Sequence, residues 1–170
     1  MRRTLRWLAA AGGDATARLR EGAAGVEVES TVRGIEDGVA FRLAYRLRCD
    51  VAWRTRVVEL ALDGGAALAL HADGERVDVD ITATPLTNTL PIRRLALVVG
   101  ASATIRAAYV AIPSLALSFA PQRYTRLDER RWRFESLDAD FRRDIVVDGD
   151  GFVVDYPGLF GRADDAPGAC

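Results

Sequence analysis

Along most of this chain the apolar residues recur at every second position, and at one place only does the spacing change to that of a helix. Phe41, Leu43, Tyr45 and Leu47 alternate with Arg42, Ala44, Arg46 and Arg48. Successive side chains of a strand point to opposite faces, so one face here is aromatic and aliphatic and the other carries arginines. Val26, Val28, Ser30 and Val32 alternate in the same way with Glu27, Glu29 and Thr31, and Val77, Val79 and Ile81 with Asp78 and Asp80. Further strands are expected at 55–62, 68–70, 104–112, 115–119, 123–127, 131–135, 141–147 and 151–156, the break near 113 falling on Pro113. Turn signals such as Asp37-Gly38, Asp63-Gly64-Gly65, Asp73-Gly74 and Asp148-Gly149-Asp150-Gly151 separate them. Many short strands joined this way predict an antiparallel meander.

The exception lies between Ile81 and Gly100. Leu90, Ile92, Leu95, Ala96 and Val99 fall at near-helical spacing and can form one apolar stripe, with Arg93 and Arg94 off it. Thr87, Asn88 and Thr89 are good N-cap types, Pro91 suits a first turn, and Gly100 suits a left-handed stop. A helix is therefore expected over 88–99. So short a helix is marginal alone and must pack against the strands around it.

A chain of 170 residues with 49% hydrophobic and 28% charged residues is long enough for one domain with a real core. Its net charge of −1 gives no basic field that would draw nucleic acid. Every one of the 23 basic residues is arginine. Cys49 and Cys170 make neither a disulfide framework nor a metal cluster. The opening residues, with Arg2, Arg3 and an apolar run from Leu5 to Ala11, superficially resemble a secretory leader. Arg6 interrupts that run and Gly12-Gly13 ends it, so a cytoplasmic protein is expected, with residues 1–16 as a loose N-terminus. No run reaches the roughly 20 apolar residues of a membrane span. The polar stretch 163–170 reads as a disordered tail.

Little in the chain speaks for catalysis. His71 is the single histidine, stands beside a turn, and has no nucleophile motif near it. Asp78 and Asp80, two apart on a strand, share a face and could do acid–base work or hold a cation, but read more simply as a solvated outer face. Asp148-Gly149-Asp150-Gly151 lacks the later ligands of a calcium loop and reads as a turn. No cofactor is expected. The arginines Arg42, Arg46 and Arg48 on one strand face, Arg54 and Arg56 after Trp53, and Arg93 and Arg94 in the helix would suit an anionic head group if they converged.

The stretch DVDITATPLTNTLPIRRLALVVGASATIRAAYVAIPSLALSFAPQRYTRL, with LAYRLRCDVAWRTRVVEL before it and WRFES and VDYPGLF after it, resembles a bacterial glycolipid-binding family. The segment TNTLPIRRL, residues 87–95, is the most specific part. The resemblance covers about 17–162 and implies a mainly β fold: a long antiparallel sheet rolled spirally, open and barrel-like, around one short helix. It also implies a homodimer joined by an intermolecular sheet, and a non-catalytic role in holding a glycolipid or other amphipathic ligand. The candidate ligand contacts are Thr87, Asn88, Thr89, Arg93 and Arg94, with Trp53 and Arg54. The chain departs from the family between the strand at 68–70 and Asp78, where a piece that would form a hairpin is missing. Two other readings stay open: a protein-interaction module that pairs through edge strands, and an enzyme built on Asp78, Asp80 and arginines gathered in one cleft.

Overall fold

The computed structural model describes residues 1–72 and 77–163. In chain order the elements are β1 (Arg2–Ala9), β2 (Gly13–Gly22), β3 (Gly25–Glu36), β4 (Val39–Cys49), β5 (Thr55–Leu62), β6 (Ala67–His71), β7 (Asp78–Ile81), α1 (Leu86–Leu95), β8 (Ser102–Ala111), β9 (Ala116–Arg126), β10 (Arg131–Ser136), β11 (Arg142–Val147), β12 (Val153–Tyr156) and β13 (Phe160–Arg162). All strands belong to one 13-stranded sheet, ordered β6-β5-β4-β3-β2-β1-β13-β12-β11-β10-β9-β8-β7. The sheet curls around α1 without closing by hydrogen bonds, so β6 and β7, consecutive in the chain, lie at its two edges. The Asp73-Gly74 turn and the tail after residue 163 fall outside the described residues.

Along β4, inward positions are apolar and three of the outward positions are charged. Leu43, Tyr45 and Leu47 are buried, while Arg42, Arg46 and Arg48 face solvent. On that outer face Arg18 pairs in register with Glu29, Glu29 with Arg46, and Arg46 with Glu59. Arg20 and Arg48 likewise flank Glu27. Opposite charges directly across strands contribute roughly 0.2–1 kcal/mol each. The strand arginines are thus spread through a lattice of charges on the outside of the roll.

The meander has one departure. β7 pairs with β8 in parallel. Parallel neighbours cannot be joined by a tight turn and need a long crossover, usually helical. Here α1 is that crossover, and it passes through the inside of the roll. Its residues Leu86 to Ile92 are all buried, so the first two turns are enclosed on every side and present no single stripe.

The helix also begins and ends earlier than the 88–99 expected from its signals. Its N-cap is Pro85, with no side-chain cap, and Pro91 stands inside it. Of the side chains that looked like caps, Thr87 and Asn88 face other partners. Thr84 Oγ1 accepts from the Leu86 amide at 3.3 Å, and Thr87 Oγ1 accepts from the Ile81 amide at 3.3 Å, tying the helix start to the end of β7. The stop is Ala96, at φ 46° and ψ 41°, four residues before Gly100.

The N-terminal segment expected to be loose is instead ordered as β1 and the start of β2. Leu5 and Trp7 point into the core, alternating with Thr4, Arg6 and Leu8. In β2 the inward residues are Ala15, Ala17 and Leu19. Alanines carry little hydrophobic signal, and Leu8 and Ala9 blur the alternation of β1, which is why the period was hidden. β1 pairs with β13 through Trp7, Leu8 and Ala9 and so joins the two halves of the sheet. β9 is also longer than expected, running through Pro121 where two strands, 115–119 and 123–127, were read.

Candidate functional site

The buried helix has two distinct polar environments. Near the C-terminal end of α1, Arg93 donates from Nη1 to the Asp150 carbonyl at 2.5 Å and from Nη2 to Glu21 Oε1 at 3.1 Å. Its guanidinium lies over the Trp53 ring, 4.3 Å from the centroid, and Trp53 Nε1 donates to the same Glu21 oxygen at 3.4 Å. Trp53 sits at φ 61° and packs edge-on against Phe152. The Asp148-Gly149-Asp150-Gly151 turn is closed by Asp148 Oδ1, which accepts from the Asp150 and Phe152 amides at 3.0 Å each. Arg3 and Arg162 also pair with Asp148. Against the upward effect of burial, Arg162 and the Phe152 and Asp150 amides hold its carboxyl below the usual carboxylate range.

Arg94 makes a two-toothed pair with Asp78, Nε to Oδ1 at 2.9 Å and Nη2 to Oδ2 at 2.5 Å, both side chains largely buried. Asp78 and Asp80 were expected on a solvated face; Asp78 is instead buried and Asp80 half-buried, with α1 packed against β7. Arg54 stays exposed and, with Arg56, braces the Asp50 carboxylate. That pairing and the amides of Ala52 and Arg54 bring Asp50 down to about 2 against the opposing effect of burial. Thr89 is fully buried and its Oγ1 has no hydrogen-bond partner among the described residues.

The second environment is a cavity of about 740 Å³ between the start of α1, the inner faces of β3, β8, β9 and β10, and the turns at one end of the roll. Its apolar wall includes Phe41, Phe134, Phe141, Leu159 and Phe160, and its polar groups include Asp80, Asn88, Tyr109, Ser118, Gln122 and Tyr156. Gln122 Nε2 donates to Asp80 Oδ2 at 2.7 Å, and Asn88 Nδ2 donates to the Tyr124 hydroxyl at 3.0 Å. Gln122 is the one side-chain donor that Asp80 meets among the described residues. Burial therefore pushes the Asp80 carboxyl up, and Gln122 offsets this only in part. Burial and then the charge of Asp80 push the Tyr124 and Tyr156 phenols up, so both stay neutral donors.

Of the candidate ligand contacts named from the sequence, Asn88 alone lines this cavity. Thr87 and Thr89 are packed inside the roll, Arg93, Arg94 and Trp53 are engaged with protein partners, and Arg54 lies on the outside. The arginines do not converge. Asp80 was visible in the sequence as one of a carboxylate pair, but Gln122, Tyr109 and Tyr156 carried no motif. Only the order of the strands brings them together. His71 is exposed on β6, and no group of three His, Cys, Asp or Glu side chains among the described residues could hold a metal ion.

The ionisation of Asp80 has a measurable consequence. A carboxyl whose folded value is raised binds its proton more readily folded than unfolded. Its stability contribution is therefore intact below the ordinary carboxylate range and is lost as pH rises through the raised value. Asp80→Asn keeps the shape and the Gln122 contact while removing the charge. We expect it to raise stability by about 1–2 kcal/mol at neutral pH, the scale of one under-satisfied buried carboxylate. The gain should vanish in acid. Urea unfolding of both proteins across the pH range checks this, and a constant difference at all pH values would show that Asp80 is well solvated.

The sequence model of the family described as Putative glycolipid-binding matches residues 4–162. The chain belongs to that family. The crystal structure of a DUF1089 family protein from Pseudomonas aeruginosa is 36% identical, covers 87% of this chain and 91% of its own, and superposes with a TM-score of 0.77. No curated protein matches. The glycolipid-binding family model takes in β1 from Thr4 onward, in agreement with the place of that strand in the core. No helix among the described residues is long and apolar enough to cross a membrane.

Proposed function

We propose that this member of the glycolipid-binding family is a non-catalytic binding protein that holds an amphipathic ligand in the cavity beneath α1. The polar part of the ligand meets Asp80, Gln122 and Asn88, and its apolar part lies along Phe41, Phe134, Phe141 and Phe160. The observation that carries this reading is Asp80 itself. An acidic side chain kept in an aromatic cavity with one donor costs stability. Ligand hydroxyl groups would supply the donors it lacks. A volume of about 740 Å³ also falls in the range of roughly 300–1,000 Å³ typical of small-molecule sites.

In this reading the signature of the helix serves the cavity indirectly. Thr87 and Arg94 fasten α1 to β7, and Arg93 stacked on Trp53 fastens it to the turn at 148–151. Asn88 is then presented at a fixed place. A homodimer belongs to the same proposal. β6 has one strand neighbour among the described residues, so its outer edge is open to a second copy. A cytoplasmic location fits the use of Leu5 and Trp7 as core residues.

Native mass spectrometry of protein purified from its own host, followed by solvent extraction and lipid analysis, tests the proposal. We expect dimers carrying a stoichiometric amphiphile. Ser118→Trp, at a solvent-facing position on the cavity wall, should fill the space and abolish the adduct while the protein stays folded. Protein that is free of ligand and takes up no fluorescent lipid would overturn the carrier reading and favour the interaction module. So would an amphiphile that Ser118→Trp still holds.

A further inference from the structure

We infer that the cavity takes an amphiphile whose polar end carries an ammonium group, a long-chain amine or amino alcohol, and that Asp80 is its counter-charge. The inference rests on the cavity being a ligand site, as proposed above, and goes beyond that reading by giving the polar end of the ligand a sign. Hydroxyl groups would complete the hydrogen bonds of Asp80 but leave its charge uncompensated. An ammonium group answers both needs. Three observations support it.

The first is which carboxylates the protein leaves unpaired. Elsewhere part-buried acids are met by arginine: Glu21 by Arg93, Asp78 by Arg94, and Asp148 by Arg3 and Arg162. Around the cavity that pattern breaks. Its charged lining residues are Asp14, Glu36, Asp80 and Asp138 against Arg33 alone. Asp14 has Arg6 at 3.6 Å and stands opposite Arg33 in the β2–β3 ladder. Asp80 accepts from the Gln122 amide and Asp138 from the Ser136 hydroxyl at 2.8 Å, and among the described residues neither they nor Glu36 has an arginine partner.

The second is that these three acids converge. Asp80, Tyr109 and Ser118 lie in one row across β7, β8 and β9. Glu36 ends β3, and Asp138 lies in the turn after β10. Burial and then the charges of Asp80, Asp138 and Glu36 push the Tyr109 phenol up, so carboxylates from three separate elements act on one side chain. A cation seated beside Tyr109 would face all three. An opposite charge at about 4–6 Å would also favour the ionised form of Asp80 against the effect of its burial.

The third is the wall. Phe134 and Phe141 have ring centroids 5.9 Å apart, and Phe141 and Tyr156 6.5 Å, so the acids stand beside a continuous aromatic surface. Ring faces are electron-rich and attract cations, most strongly where water is excluded. A cation of the protein already uses this surface: the Arg143 guanidinium lies over the Phe141 ring, 4.7 Å from its centroid. A carboxylate or phosphate end would meet like charges instead. Gln122 and Asn88 do not decide the sign, since each amide keeps a carbonyl oxygen and a second N–H for the ligand.

The test uses the delipidated whole protein and three ligands of equal chain length, decylamine, decanol and decanoate. Binding is measured by calorimetry below their micelle concentrations at neutral pH, where the amine is protonated. We expect decylamine to bind at least about tenfold more tightly than decanol, and decanoate to bind weakest, because a close charge pair in a poorly solvated site is strong. Asp80→Asn should weaken decylamine by about tenfold and leave decanol within about twofold, so that the preference for the amine is lost. Equal binding of amine and alcohol by the unaltered protein would overturn the inference. So would tighter binding of decanoate, or a preference for the amine that Asp80→Asn retains. Each of those results would leave the cavity standing as a ligand site. Failure to bind any of the three, or binding that persists in Ser118→Trp, would remove the cavity reading itself and the inference with it.

Discussion

Arg94→Ala should lower the stability of the fold by about 3–5 kcal/mol, the cost of leaving a buried charge without its partner. The Asp78 side chain is 5% exposed and its two oxygens both accept from the Arg94 guanidinium. Alanine would strand that carboxylate under α1, at a depth that water does not easily reach. For a chain of this size each kcal/mol shifts the melting temperature by roughly 2–4 °C, so a fall of about 10 °C is expected. The pair itself need not be net stabilising. Replacing both members, Asp78→Leu with Arg94→Met, should recover most of the loss, because two charges no longer have to be desolvated. Thermal unfolding of the single and double variants checks this. A loss under about 1 kcal/mol for Arg94→Ala would mean the pair behaves as an exposed one.

Trp7→Ala should cost about as much or more. Trp7 is fully buried, and large-to-small changes at such aromatic positions typically cost about 3–5 kcal/mol. Its Nε1 also donates to the Val153 carbonyl at 2.8 Å, reaching from β1 past β13 to β12. The β1–β13 ladder is short, so this side chain is a large part of what keeps the two halves of the sheet together. We expect Trp7→Phe to be milder, because it retains most of the apolar contact and loses the hydrogen bond. Chemical denaturation followed by two probes, one in each half, should show the transitions separating in Trp7→Ala. Coincident transitions with little loss of stability would show that β1 is dispensable to the seam.

These two predictions mark opposite ends of what could be read before the fold was known. Arg94 was singled out for its place in a capped helical segment, and its partner Asp78 for its place on an alternating strand. Neither residue's pattern indicated that they meet, because strand and helix periodicity describe one element at a time. Trp7 was placed in a loose terminus, since a period of two over Leu5 and Trp7 is too short to stand out against neighbouring leucine and alanine. The family resemblance implied the rolled sheet and the central helix, and both are present. The helix boundaries were misread because Thr87 and Pro91 are ordinary end signals that here serve a buried crossover.

The cavity is a stronger case. Asp80, Asn88 and Gln122 come from β7, α1 and β9, and nothing local distinguishes Gln122 from any polar residue on a strand. By itself the sequence determined which residues face inward on strands with clear alternation, such as β3 and β4, since alternation and burial follow directly from the geometry of a strand. It also determined that one helix must be covered by sheet, since ten residues cannot hold a helix unaided. Only the tertiary structure decided which inward-facing polar groups become neighbours. That depends on strand order, on the parallel step from β7 to β8, and on the enclosure of α1, and these are settled by long-range packing. The same packing turned Asp80 from an apparent solvent-facing acid into a half-buried one on a cavity wall.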